Sequence, residues 1–468
     1  MLFETATVVA KNRDKLELVQ RYEEAVQTYK QCSEFPLSVI RQGTRILNTH
    51  KVTDSYIGDY ALIDAVTSIH NSTLLSSLED SVHVTSGAYV DSSIIQWGCS
   101  VETMAVVSTS LLCEHSYAKS HAKVSHSVVA PNSGVSGGEC TSSLLGPFVG
   151  FHHQALLIAA LWPEGKGNVG YGANVGSNHT SKAPDQEIWP GEGVFYGLGC
   201  SIKYPTNMSE APYSVIASGV CTLPQRVAMP FSLINSPSTF LSDVSPALNE
   251  IIPGWVLKEN IYAVLRNERK FQERNKARRN IFDTTIFRPI IAGMLEKARA
   301  ALMQPRGNKN FPVFLEGDIA GIGKNYLTEI NRKQGIEVYT FYLRFYALQG
   351  LYFRIKKLGF PKATSLEEDL ADPVWMHQRS VIIKEFPEVE MASPFQLLHH
   401  YKDMLKKIGE SALISKQRDD QRGMKIFPDY KVVHVLAEKD SFVNDTLERI
   451  RLTVSEIREW ESLSAKNE

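Results

Sequence analysis

The sequence predicts a mainly β protein: a coil of short parallel strands, with a helical segment before it and a helical region after it. Three observations predict this. Small or β-branched apolar residues recur every six positions from about Ile46. Gly, Asn, Asp and Ser fill the positions between them, as corners require. The beat is too long for a helix, which repeats every three or four residues, and too long for a simple strand, which alternates by two. A six-residue unit cannot bury its apolar residue alone. Stacked coils make a continuous core and stabilise one another as a solenoid. An irregular β-sandwich is the alternative, disfavoured by the persistence of the beat.

Residues 1–40 read as helical, with Leu16, Val19, Tyr22, Ala25 and Tyr29 three or four apart and Pro36 closing the run. Residues 41–237 carry the coil. Ile57, Ile63 and Ile69 form one series, followed by Leu75; Val84 and Val90, Ile95 and Val101, and Leu112, Ala118 and Val124 continue it. After an interruption the beat returns at Val169 and Val175, then at Ile188 and Val194. Several hexads slip by a residue. A Pro- and Ser-rich stretch at 224–237 ends the coil, and residues 238–468 turn helical. Residues 255–279, 286–302, 339–357, 395–408 and 443–463 read as helices, with a break at Pro289 and no catalytic motif.

Bulk properties narrow the functions. The chain has 468 residues, 43% hydrophobic and 22% charged, which suits a soluble globular protein of two or three domains. A net charge of −1 supplies no global field for nucleic acid or an anionic membrane. The six cysteines form no CxxC pair and read as reduced, mostly buried thiols. No basic n-region and no apolar run of spanning length are present, so a cytoplasmic location is expected and the three Asn-x-Ser/Thr matches read as chance.

The candidate site lies in residues 150–199. His152 and His153 sit where the beat breaks, and such interruptions are expected to project as loops. A neutral imidazole can take a proton from an amine or hydroxyl as that group attacks an acyl carbon. The plainer alternative is a pair of hydrogen-bonded structural histidines. Residues 170–186, GYGANVGSNHTSKAPDQ, combine glycines that let a ligand approach with Asn174, Asn178, His179, Lys182 and Gln186 as polar groups. A turn-rich corner explains the same residues without a ligand.

Taken together, the coil resembles the hexapeptide-repeat transferases. That resemblance implies a left-handed parallel β-helix and a homotrimer. Locally, Phe151-His152-His153, Gly172-Ala173-Asn174, Asn178-His179 with Lys182, and Gly193-Val194-Phe195-Tyr196-Gly197 resemble the acetyltransferase half of the bifunctional enzyme that makes UDP-N-acetylglucosamine. By that resemblance His153 or His152 is the general base, Asn178 touches the sugar or acyl donor, and His179 replaces a tyrosine. Backbone N–H groups at 170–176 would hold the oxyanion, while Asn178, Lys182 and Gln186 position substrate. Acetyl-CoA is the implied cosubstrate, with a sugar or sugar nucleotide as acceptor and no metal, nucleic acid or membrane partner. Three departures stand out: Phe151 where the family has Asn, an apolar insertion at 155–163, and a loop without Asp-Gly. The whole chain, including residues 212–216 and the GKNYLT stretch from Gly323, is also similar to uncharacterised bacterial hexapeptide-repeat proteins.

Two other classes compete. One is a non-catalytic trimeric scaffold whose helical arm holds partners. The other is a zinc-dependent lyase, since His121 and His126 have the His-x4-His spacing of γ-class carbonic anhydrases, with His83 and His115 nearby. The separation of His83 and the missing Arg and Asp hexads speak against it. The basic run 266–279 has interleaved Glu268, Gln272 and Glu273, and reads as a solvated or interface helix rather than an RNA contact.

Overall fold

The computed structural model describes residues 2–176, 187–239, 241–306, 313–359, 366–387 and 394–464. Its centre is a parallel β-solenoid of about eleven turns, three-sided, with helices at both ends. Face A runs from Val39–Ile40 to Leu161–Trp162 and continues, through a bridge between Ala160 and Ile188, into Ile188–Trp189, Thr206–Asn207 and Gln225–Arg226. Face B runs from Arg45–Leu47 to Leu233–Asn235, and face C from Val52–Thr53 to Cys221–Thr222.

The slipped hexads have a regular cause. Ile57, Ile63 and Ile69 point inward on faces A, B and C, and the next inward residue is Leu74, not Leu75. The step from face C to face A is short, so corner partners on successive turns lie 16 or 17 residues apart, or 21 across the bulge after Leu74. A column of buried serines occupies that corner. The N–H of Ser72 donates to Ser55 Oγ, Ser93 to Ser72, Ser110 to Ser93, Ser127 to Ser110 and Ser143 to Ser127. Each hydroxyl in turn donates to the carbonyl two residues before it, as Ser110 Oγ does to Ser108 at 2.7 Å. The serines thus satisfy backbone groups that the tight corner leaves without ladder partners. The residue before each serine takes a left-handed conformation, among them Asp54, Asn71, Ser92, Thr109, His126 and Ser142. Short polar side chains tolerate that region best, which accounts for most of the corner composition.

Two expectations about the coil are corrected. Residues 155–163 are not an insertion: Ala155, Leu157, Ala160 and Trp162 are inward residues of a regular turn. Nor does the beat break at His152. Strand Gly150–His152 pairs with Gly134–Ser136 below and Asn168–Val169 above. Between Leu74 and Val82, by contrast, the coil does bulge, at the corner between faces A and B.

The helical start is two helices, α1 (Phe3–Lys11) and α2 (Leu16–Ser33). Phe3 of α1 is buried with Leu111, Cys113, Ala130 and Leu144, so this helix covers the outside of face A. After the last turn, Asn249–Ile252 adds antiparallel to face B, and Asn325–Thr328 and Val313–Phe314 extend it. The sequence reading lacked these strands. Helices α3 (Trp255–Glu259), α4 (Ile261–Arg274), α5 (Pro289–Met303), α6 (Glu329–Leu358), α7 (Pro373–Glu385), α8 (Pro394–Ile426), α9 (Tyr430–Val433) and α10 (Ser441–Ser464) complete the chain. Their apolar faces join the solenoid interior in one core, with Tyr339 of α6 donating to the Pro230 carbonyl at 2.6 Å. No helix among the described residues is long and apolar enough to cross a membrane.

Candidate functional site

His152 ends a strand of face B with Phe151 buried behind it, so alternation turns the imidazole outward. His153 forms the corner to face C with φ 60°. Its N–H donates to Ser136 at 2.9 Å, and its carbonyl accepts from Gly172 at 3.1 Å. The two rings lie 5.8 Å apart at 48°. Among the described residues no side-chain hydrogen bond fixes either imidazole. Burial, then the neighbouring His153 and Lys270, hold the His152 pKa below its ordinary value. His152 is therefore neutral near pH 7 and able to accept a proton.

Ser136 lies one turn below His152, and two glycines, Gly134 and Gly150, stack two residues back on the same face. A Cβ on Gly134 would fall inside the ring of Tyr117, which lies across it. A Cβ on Gly150 would meet Asn168 Oδ1 at 2.7 Å and His152 Nε2 at 3.6 Å. Tyr117 and Asn168 can lie flat against face B only because both positions lack a side chain. Lys119 places its ammonium 4.7 Å over the Tyr117 ring.

Helix α4 forms the wall on the side of face A. Phe271 packs on Phe148, at the corner before Gly150, with ring centroids 5.3 Å apart. One turn of the coil lower, Asn132 donates to Asn275 Oδ1 at 2.9 Å and accepts from the Lys276 N–H at 3.0 Å. The helix thus runs along the A–B corner, and a strap of residues 275–288 follows it. Glu114, fully buried, holds the strap. Its carboxylate accepts from the backbone N–H groups of Arg278, Arg279 and Asn280 and from the Asn280 amide at 2.8 Å. Burial pushes this carboxyl up, but those bonds together outweigh it and the net shift is downward. Arg279 stacks 3.8 Å over Trp97.

Further along, buried Glu192 receives Lys166 at 2.9 Å, Tyr213 at 2.6 Å and both ends of the Arg288 guanidinium. A cleft of about 550 Å³ lies here between α1, the strap and the A–B corner, lined by Phe3, Glu4, Pro163, Lys166 and Arg288 among others. Lys166 and Arg288 are both paired with Glu192, and Arg288 also lies 3.9 Å from Asp283.

The structure separates the other expected residues. Asn174 begins a strand on face C, one turn above His153, with its Oδ1 buried and without a hydrogen-bond partner among the described residues. Asn178, His179, Lys182 and Gln186 lie outside the described residues. The described chain leaves off at Gly176, past the strand on face C, and resumes at Glu187 before face A. The oxyanion donors expected at 170–176 are a correction. The N–H groups of Gly170, Gly172, Ala173, Asn174 and Gly176 all donate to backbone carbonyls, because these residues are ordinary ladder and corner positions. Of the histidines weighed as zinc ligands, His121 and His126 stand at opposite ends of strand Lys123–Ser125. His115 faces buried Asp80 at 3.3 Å. Among the described residues no three His, Cys, Asp or Glu side chains converge as ligands.

Sequence reasoning missed the strap, the Glu114 and Glu192 anchors, and α4 as a wall of the site. The recurrence of serine at the short corner was a readable signal. Nothing local marks Glu114, whose partners lie about 165 residues away.

Fold and face together define a parallel β-solenoid protein with an N-terminal helical cover and a C-terminal helical region that straps back along one corner. A family profile described as a domain of unknown function, DUF4954, matches residues 2–291, and the chain belongs to that family. An uncharacterised protein of Treponema pallidum (strain Nichols) is 26% identical over 304 residues. The match covers 64% of this chain and 41% of that protein, so this chain spans less than half of its relative's length.

Proposed function

We propose that the protein is an acyltransferase, moving an acetyl or similar group from a coenzyme A thioester to an amino or hydroxyl group of a sugar or sugar nucleotide. The observation that carries this reading is the His152 imidazole. It is half-buried, held neutral by its surroundings, and set beside Asn168 on the outside of a parallel solenoid. In the reaction, the acceptor nitrogen or oxygen adds to the thioester carbon while His152 takes its proton. The new C–N or C–O bond forms, the C–S bond breaks, and the imidazolium returns the proton to the departing thiolate. Asn168, beside His152, replaces the backbone amides as the group facing the oxyanion.

In this reading the coil is left-handed and the protein a trimer, as in the transferases it resembles. Helix α1 covers face A and α4 the A–B corner, so face C and the B–C corner are left for subunit contact. His153 stands at that corner, and Asn174, Asn178, His179, Lys182 and Gln186 keep the substrate-binding role that the resemblance assigns. A thermal-shift screen with acetyl-CoA, succinyl-CoA and UDP-sugars tests the reading. A ligand at a hundred times its Kd adds about 2.7 kcal/mol of stability. A shift with a thioester or UDP-sugar supports the reading, and no shift with any of them rejects it.

One observation favours a second reading, a scaffold. Helix α2 buries none of its residues and exposes Leu16, Leu18, Val26 and Tyr29, as a partner-binding arm would.

A further inference from the structure

Helix α4 carries a cationic flank that the packing of the protein leaves unused. Phe271 sets the helix against the A–B corner, and Glu268 turns toward the strap, accepting the Ile286 N–H at 2.8 Å. Arg269 is paired with Glu273 and Asp445. By helical spacing Arg266, Lys270 and Arg274 share the other side of Phe271, and the charge of Lys270 acts on His152. None of these three side chains makes a hydrogen bond or ion pair among the described residues. Lys270 is half-buried, and its pKa is lowered by burial and then by the charges of Arg274 and Arg266. Their spacing fits the coil. Residues four apart on a helix rise about 6 Å, while successive turns of a sheet stack about 4.8 Å apart. The flank therefore follows the turns of face B that carry Gly134, Gly150 and Asn168, where Tyr117 lies flat over Gly134 and Asn168 over Gly150.

We propose that the Arg266–Lys270–Arg274 flank, beside Tyr117, Asn168 and His152 on face B, binds a phosphorylated small molecule through a diphosphate. Cations about 6 Å apart suit neighbouring phosphates better than a single carboxylate. The stripe is only three charges long on a chain of net charge −1, which suits a short anion rather than a nucleic acid. The inference deepens the acyltransferase reading by naming the handle of its substrate and rests on that reading only for catalysis.

Calorimetric titration of the full chain with inorganic pyrophosphate and uridine diphosphate tests it. Both are expected to bind. The double variant Lys270→Glu/Arg274→Glu should lose at least tenfold in affinity and the neutral pair Lys270→Gln/Arg274→Gln about fivefold. Arg45→Glu, a reversal at the far end of face B, should keep wild-type affinity. If the reversed protein fails to fold, the neutral pair decides alone. Absence of pyrophosphate and nucleotide binding, binding unchanged in the neutral pair, or binding only of a long RNA overturns the proposal. Diphosphate binding lost in these variants, without any thioester turnover, keeps the proposal and removes the acyltransferase reading.

Discussion

Replacing Glu114 with glutamine should release the strap without unfolding the coil. One carboxylate oxygen accepts from the N–H groups of Arg279 at 3.0 Å and Asn280 at 2.9 Å and from the Asn280 amide at 2.8 Å. The other accepts from the Arg278 N–H at 3.2 Å and the Arg279 guanidinium at 3.3 Å. All five approaching groups are donors. Glutamine must point an NH2 at one set of them, so at least two lose their acceptor in a buried place. Bonds to a charged group are worth about 1.5–3 kcal/mol each, and a loss of about 3 kcal/mol follows. At about 1.4 kcal/mol per tenfold, strap amides should exchange roughly a hundredfold faster. Hydrogen exchange read on peptides covering 277–283 measures this, with peptides from Val101–Val135 as the internal reference. Protection within threefold of wild type in the strap would refute the assignment of Glu114 as its anchor.

Acid should open the same strap. Glu114 and Glu192 both titrate below the ordinary carboxylate value in the folded protein, because their donors and cations outweigh burial. A depressed folded pKa gives stability that is complete above the unfolded value of about 4.3 and fades as pH falls through the folded one. Strap protection, corrected for intrinsic exchange, should hold from pH 7 to about 5 and fall below about 4; a loss confined to alkaline pH contradicts this. Ser110→Ala removes the acceptor of the Ser127 N–H and should cost about 1–3 kcal/mol in urea denaturation; an unchanged midpoint would count against the serine column. Gly146→Ala drives a methyl into the backbone of Gly165 and Trp162 and should cost about 3 kcal/mol. Gly172→Ala meets open space and carries only the strain of φ +63°, about 1 kcal/mol; the reverse order of the two would show the corner geometry to be wrong. In an NMR titration His152 should protonate below its ordinary value and shift upward in His153→Gln; a midpoint above 6.5 contradicts the burial argument.

The coil was legible because its inward residues must be apolar and its corners must tolerate left-handed conformations. Ile57, Ile63 and Ile69 show the first, and Asn71 and Asp54 the second. The short third step was visible only as slippage, because the serines that close it look like any polar corner until their hydrogen bonds are seen. Regular turns were mistaken for interruptions where bulky residues, Phe151 and Trp162, fill positions elsewhere held by valine or leucine. His152 and His153 were readable as a pair, but not the Tyr117 and Asn168 side chains laid flat nearby, an arrangement that depends on Gly134 lying one turn below Gly150. The role of α4 was out of reach for a similar reason. Its charges are evident in sequence, yet which of them stay unpaired is decided by the contact of Phe271 with Phe148 and by partners on α10.

The most direct test of the account is release of free coenzyme A thiol from acetyl-CoA, with a panel of amino sugars and UDP-sugars as acceptors. Wild type, His152→Ala and His153→Ala proteins would be compared at equal folded concentration. Loss of a general base typically costs about 10²–10⁴-fold in rate. The account predicts such a loss for His152→Ala and less than about tenfold for His153→Ala. Full turnover by a folded His152→Ala protein would contradict it.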